Sequence, residues 1–436
     1  RCCNTDMDMK LSEKRVQLPS GHQSWLEGGK QSISADIGAG EARETLQRTL
    51  AEEAIVWPRR KTIFITDPHA DPHAFVDSLV ASGTVKITGD RVTDFKLTGS
   101  GRNALFVIGG DCIDKGPSNL GLLRAVKHLL DLDARVRLLA GNHDIRLLLG
   151  MRMVGRTDDP RSGHFFVRLG HKVMPLLVEL RDEYLTGKHA YADIPGEKAC
   201  RRRLFPSDEW LEHFPKFSRG VTSERAIERE IKRLKKRMKR FEEARLAHGL
   251  TMRDIYAASL VWKELFLDPQ GEFFWFYDSM RLAHRSGSFL YIHAGLNDQL
   301  AGLVGHKSAK RLNAQFRKQL SHAPFNFYFG PLAGGFRTKY REHDWALTKK
   351  GVSRLTERGV RVIVHGHLNH YHGQRIYLRD GIINIQCDSS MDRGTRRLEG
   401  LKGNGASVTV IQPRGRILGI SNDYPYIKRL ELPEKR

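Results

Sequence analysis

Five short apolar runs in this chain each end on aspartate, asparagine or histidine. Asp67-Pro68-His69 follows the run 62–66, and Gly109-Gly110-Asp111 follows 104–108, with Asp114-Lys115-Gly116 just beyond. Gly141-Asn142-His143-Asp144 follows 136–140, His293-Ala294-Gly295 follows 289–292, and His365-Gly366-His367 follows 361–364. Carboxylates, imidazoles and an amide oxygen together suit a divalent transition metal without any thiolate. They are numerous enough for two ions sharing one carboxylate, an arrangement built for in-line displacement at phosphorus. Taken singly, each has an ordinary reading. Asp67 and Asp111 would serve as turn residues or helix caps, Asn142 as a turn former, His293 as a satisfied core histidine. Taken jointly, at five run ends, the metal reading is the stronger one.

The runs themselves read as buried strands. Each then delivers its polar residue at the carboxyl edge of a sheet, where open α/β sheets bind ligands. Helical patterns alternate with them. One covers 74–82 and is closed by Gly83; another covers 118–132 behind Pro117, with Leu122, Leu123, Val126, Leu129 and Leu130 as its apolar stripe. The alternation predicts a layered α/β core. Strand-like runs at 382–387, 407–411 and 417–420 predict a second sheet.

The order DxH, GDxxD, GNHD, HAG, GH resembles the calcineurin-like metallophosphoesterases. The HAG form is most similar to the PPP-type branch, whose protein Ser/Thr phosphatases carry HGG there. The resemblance covers roughly 61–150 and 286–420. It implies a β-sandwich flanked by helices and two divalent ions, Mn2+, Fe or Zn2+. By resemblance, Asp67 and His69 bind the first ion, Asp111 bridges both, and Asn142, His293 and His367 complete the second. It further implies that His143 protonates the leaving oxygen, with Asp144 orienting it. Three departures from the pattern stand out. Lys115 replaces an arginine, which would trade a bidentate phosphate grip for a point charge. Arg337 or Arg341 is then a substitute grip. Ala70 replaces a glycine, implying a different turn. Asn369 stands where many metallophosphoesterases have a second histidine, which PPP-type enzymes also lack; His365 and His370 remain as alternative ligands. Asp388 falls near where this fold returns to the site.

Asn142 and His293 lie 151 positions apart, a longer interval than is typical of PPP-like enzymes. The organisation expected is therefore a polar N-terminal arm (1–60), a first half of the core (61–150), a helical insert (151–285), a second half of the core (286–425) and a C-terminal tail (426–436). Within the arm, 41–55 is helical in pattern, with Leu46, Leu50 and Ala54 on one face. In the insert, Ile227, Ile231, Leu234, Met238 and Phe241 form a heptad-like stripe. The opposite face carries Lys232, Arg233, Lys235, Lys236, Arg237, Lys239 and Arg240. Gly249 stops that helix and Thr251 caps another, so an antiparallel helical hairpin is expected.

The 436 residues carry a net charge of +22, which favours anionic partners: a phosphorylated substrate, nucleic acid or an acidic protein. There is no apolar run of eighteen or more, so no membrane span is expected. The first residues lack the basic-then-apolar pattern of a secretory signal, and a cytosolic protein is expected. The five cysteines, at 2, 3, 112, 200 and 387, contain no CxxC pair, against a zinc knuckle or disulfide framework. The reading is a dinuclear phosphoesterase in which hydroxide shared by the two ions attacks a phosphomonoester. A nucleotide or dinucleoside polyphosphate hydrolase, or a nuclease, is the alternative, and a non-catalytic module binding an acidic partner is the second.

Overall fold

The computed structural model describes residues 10–11, 16–35, 39–52, 55–156 and 161–431. Cys2, Cys3 and Ala54, and the end of the expected C-terminal tail, lie outside these residues. The chain divides into two compact units. The first comprises 1–141, 280–314 and 334–436; the second comprises 142–279 and 315–333.

The first unit is built on two sheets. One runs, in spatial order, His22–Ser24, Ile427–Glu431, Arg416–Ser421, Ser407–Gln412, Thr62–Ile65, Leu105–Ile108 and Arg135–Leu138. The other runs Ile33–Ala35, Arg375–Arg379, Ile382–Gln386, Val362–His365, Phe289–Ile292 and Ala283–Ser286. Their inner faces form one apolar cluster that includes Phe64, Val107, Tyr291, Val364, Ile385 and Ile411. Each fully buried side chain of this kind stabilises the fold by roughly 1.5–3 kcal/mol.

Two triplets of parallel strands position the chemistry. Thr62–Ile65 pairs parallel with Leu105–Ile108, which pairs parallel with Arg135–Leu138. In the other sheet Val362–His365 pairs parallel with both Phe289–Ile292 and Ile382–Gln386. Parallel strands deliver their carboxyl ends to the same edge. All five run ends singled out in the sequence leave such strands, and Asp388 leaves the sixth. The pairing continues past the strands: Asp67 N donates to Gly110 O (3.1 Å), His69 N to Asp111 O (2.9 Å) and Gly366 N to His293 O (2.8 Å).

The stretch 1–60, read as an arm outside the core, instead supplies an edge strand to each sheet. His22–Ser24 pairs with Ile427–Glu431, and Ile33–Ala35 pairs with Arg375–Arg379. Trp25 is fully buried and donates Nε1–H to Ser32 O. Three-residue strands leave too little periodicity for the sequence to register them. The helix Ala39–Glu52 follows, with Leu46 buried. Ile427–Glu431, placed in the expected tail, is likewise a strand.

The second unit is helical. Glu224–Ala247 is its longest helix, N-capped by Ser223; Met252–Leu267 follows, with Thr251 and Asp254 forming a capping box. Ile227, Leu234 and Phe241 are buried, whereas Lys232, Arg233, Lys235, Lys236, Lys239 and Arg240 are exposed. Arg237 departs from the expected basic face. It turns inward to Glu230, which also pairs with Arg168. The stretch 315–333, read as core, belongs to this unit: Phe325 and Phe329 pack on Phe214.

Candidate metal centre

Asp67 directly follows Thr66, and two donors fix one of its oxygens. Thr66 Oγ1 donates to Asp67 Oδ2 (2.6 Å), as does the backbone N–H of His367 (3.0 Å). Oδ1 lies 3.8 Å from His69 Nε2. His69 directs Nδ1 to Ile113 O (3.3 Å), and His293 directs Nδ1 to Gly109 O (2.7 Å). A ring nitrogen facing a carbonyl carries the proton, so in both histidines Nε2 bears the lone pair that a metal requires, and in His69 that lone pair faces Lys115 Nζ at 2.8 Å.

Asp111 joins the two sides. Its Oδ2 is 3.7 Å from His69 Nε2, and its Oδ1 is 3.6 Å from His293 Nε2. His367 lies beside His293, with ring centroids 5.2 Å apart. Ligand atoms of Asp111, His293 and His367 all lie within 4.8 Å of one another. One carboxylate thus faces an imidazole on either side.

The backbone is strained where these groups sit. Asp67, His69, Asp111 and His367 all have positive φ, at 55°, 40°, 54° and 66°. Such conformations cost free energy in L-residues and gather at functional sites. Ala70, in place of the family glycine, keeps the left-handed conformation at φ 55°. Glycine is obligatory at 366, because a Cβ there would lie 2.1 Å from Asp67 Oδ2.

The electrostatics call for cations. Asp67, Asp111 and Asp388 are each no more than 3% exposed. Burial raises the Asp67 carboxyl above its ordinary range, and the charge of Asp111 adds to this against the hydrogen bonds from Thr66 and His367. Asp388 is pushed up further, by burial and then by the charge of Asp67. Lys115 Nζ, 2.8 Å from His69 Nε2, supplies one positive charge, with φ 72° placing it there. Clustered buried carboxylates with neutral imidazole nitrogens are the hard and borderline donors that divalent ions take.

Residues 60–225 match the family model for the calcineurin-like phosphoesterase. The chain carries a calcineurin-like phosphoesterase domain. That domain marks a hydrolase, and the phosphoesterases of the matching model normally bind two divalent metals. No curated protein sequence matches this phosphoesterase. Among solved structures it is similar to the cold-active protein-tyrosine phosphatase of a psychrophilic Shewanella species, at 15% identity and TM-score 0.41, over 86% of this chain and 80% of that one. It is similar too to a protein serine/threonine phosphatase from Saccharomyces cerevisiae, at 12% identity and TM-score 0.35, over 90% and 88%. A putative diadenosine tetraphosphatase is similar at 12% identity and TM-score 0.29, over 84% and 96%. At such values these likenesses say nothing about the substrate.

The remaining residues singled out in the sequence have mixed placements. Gly141 packs so tightly that a Cβ would lie 2.0 Å from Asp111 N, and Asn142 follows it directly in the chain. Asn142, His143 and Asp144 open the helix Asn142–Arg152 of the second unit. There His143 Nδ1 lies 3.1 Å from Arg146 Nη2. A guanidinium only donates, so Nδ1 is an acceptor and the ring proton sits on Nε2. Arg146 went unremarked in the sequence, although three positions on a helix is a contact spacing. Asp144 is fully buried, and its carbonyl accepts from Tyr277 Oη (3.1 Å).

Arg341 pairs with Asp344 (3.4 Å) and not with the site, whereas the Arg337 backbone accepts a hydrogen bond from the His367 ring. Asn369 Nδ2 turns to Glu399 (2.9 Å) and Ser390 (3.2 Å). His365 is fully buried, with Nδ1 on Gly366 O (2.9 Å). Thr66, the outer partner of Asp67, gave no signal beyond its adjacency. Cys112, Cys200 and Cys387 are buried. No helix among the described residues is long and apolar enough to cross a membrane.

Proposed function

We propose that the chain is a dinuclear phosphomonoesterase of the PPP-like kind, acting on a phosphoprotein or a small phosphomonoester. The observation that carries this is Asp111 facing His69 through one oxygen and His293 through the other. Asp67, His69 and Asp111 would hold one ion, and Asp111, His293 and His367, with Asn142 from the adjoining position, the other. The donor set suits Mn2+, Fe or Zn2+. Bound ions supply an activated water and neutralise charge on the phosphoryl oxygens.

The protein's own groups do the rest. The hydrogen bonds on Asp67 Oδ2 and on the two Nδ1 atoms hold the donor atoms in place. Lys115 is a cation beside His69, where it would attract the substrate phosphate as a point charge; the Arg337 side chain is the second candidate grip. His143 would act as the imidazolium, giving its Nε2 proton to the departing oxygen and ending as the neutral ring; Asp144 follows it at the same helix start. The exposed lysines and arginines of Glu224–Ala247 would suit an acidic protein or nucleic acid.

Metal analysis of the purified protein with a p-nitrophenyl phosphate assay tests the proposal. Two divalent ions per chain and turnover lost in Asp67→Asn are expected. A metal-free protein without turnover would instead favour a binding module. Competition among phosphopeptides, dinucleoside polyphosphates and single-stranded DNA separates the substrate classes.

A further inference from the structure

The strand Arg375–Arg379 reads Arg-Ile-Tyr-Leu-Arg. A period of two puts Arg375, Tyr377 and Arg379 on one face and Ile376 and Leu378 on the other. The aliphatic pair is buried in the core, at 0% and 2% exposure, so the polar three face outward. There they border a cavity of about 760 Å³ that Lys339, Tyr371 and Gln386, the cross-strand partner of Arg375, also line. The cavity also takes in Leu368, Asn369 and His370, the three residues that follow His367. The backbone of His370 donates to Asp388 O (2.9 Å), which ties this wall to the proposed metal centre. Lys339 is near enough to act electrostatically on His367.

We infer that this cavity is a second anion subsite, taking a further phosphate of a small polyphosphate ester whose scissile phosphate lies at the metal centre. This rests on the metal centre of the phosphoesterase reading above, and at that centre it favours the polyphosphate substrate class over a simple phosphomonoester. Three cations border the space: Lys339, Arg375 and Arg379. One carboxylate opposes them, Glu399, and Asn369 holds its Oε1 (2.9 Å). Arg379 lies over the ring of Tyr340, 3.8 Å from its centroid, and 5.1 Å from that of Tyr377. Arginine beside aromatic rings in this way is a residue suited to phosphate. Arg375 donates through Nη2 to Ser34 Oγ, while its buried Nε has no partner among the described residues. Burial lowers the pKa of that guanidinium, so a bound anion would offset the cost of desolvating it. Tyr371, 48% exposed, offers an aromatic face at the rim. A phosphomonoester with no second anion would leave these groups unused.

The test uses the full chain with its metals. Values of kcat/KM for a dinucleoside tetraphosphate and for p-nitrophenyl phosphate are measured in wild type, Lys339→Glu and Arg375→Gln. Lys339 is exposed, so its reversal leaves folding intact. The tetraphosphate-to-monophosphate ratio is expected to fall roughly tenfold or more, the loss of one charge-assisted contact. Pyrophosphate binding by calorimetry is the second readout. Asp111→Asn should keep it, and adding Lys339→Glu should weaken it by about tenfold. A ratio unchanged within about twofold, or pyrophosphate binding indifferent to Lys339→Glu, overturns the subsite. If wild type hydrolyses neither ester but the pyrophosphate pattern holds, the subsite stands and the phosphoesterase reading falls.

Discussion

Asp111 Oδ1 lies 3.6 Å from His293 Nε2, while the other oxygen of the same carboxylate faces His69 at 3.7 Å. Removing one oxygen should therefore disable both halves of the centre. Asp111→Asn is expected to lower metal content below one ion per chain and turnover by about 10³-fold or more, several kcal/mol of charge stabilisation. Elemental analysis beside p-nitrophenyl phosphate turnover checks this. Full metal occupancy in the variant would remove Asp111 from the bridging role.

His143 is proposed as proton donor, not ligand, and the two roles separate experimentally. His143→Asn should cut kcat by about 10²–10⁴ with metal content unchanged. Loss of metal in this variant would reassign the residue to coordination.

Gly366 lets the loop carrying His367 close over Asp67. An added Cβ would lie 2.1 Å from Asp67 Oδ2 and 2.2 Å from Thr66 Oγ1. Both atoms belong to one short buried hydrogen bond, so neither can yield without releasing the carboxylate. Gly366→Ala is expected to cost about 1–3 kcal/mol of stability and most of the turnover. Urea titration and the phosphatase assay read the two effects, and wild-type values for both would contradict the packing argument.

Much of this centre was legible because a strand followed by a strained polar turn is a local signal. Asp67, Asp111, His293 and His367 each stand within three residues of an apolar run, which periodicity and glycines reveal. What escaped the sequence is non-local. The edge strands at His22–Ser24 and Ile33–Ala35 are too short to show a period, and their partners lie some 340 residues or more away. Glu230 lies among alternating charges on a helix that reads as solvent-exposed, yet it is buried. Only the fold brings Arg168 to it. Arg375 and Arg379 lie outside the strand-like runs at 382–387, 407–411 and 417–420, and only the fold shows what their face borders.

Lys428 tests burial in the first unit. Its ammonium donates to the carbonyls of His372 and Gln374 and lies over the Tyr424 ring, yet burial pushes its pKa down to about 7. The unfolded chain, with an ordinary value of 10.5, holds the extra proton between those limits. Stability should therefore rise with pH from about 7 upward, by up to about 1.4 kcal/mol per pH unit. Lys428→Met should flatten that slope in denaturant titrations. A wild-type slope that is flat or negative there would show the ammonium to be satisfied by its carbonyls.

The helical unit should fail first in acid. Glu230 is held down to about 2 against the burial penalty, chiefly by Arg168, with Arg237 adding to it. His164 accepts from Trp210 Nε1 (3.1 Å), and burial pushes its pKa down to about 3. The unfolded chain protonates the histidine below 6.5 and the glutamate below 4.5, where the folded chain takes up neither proton. Both terms therefore remove stability as pH falls, the histidine across 6.5 to about 3 and the glutamate across 4.5 to about 2. Glu230→Gln leaves Arg168 and Arg237 without their shared carboxylate and should cost about 3–5 kcal/mol at neutral pH. It should also flatten the acid limb below pH 4.5. Helical ellipticity followed from pH 7 to 3, in wild type and variant, measures both. An acid limb unchanged by the substitution would mean that the cluster does not control the unit's stability.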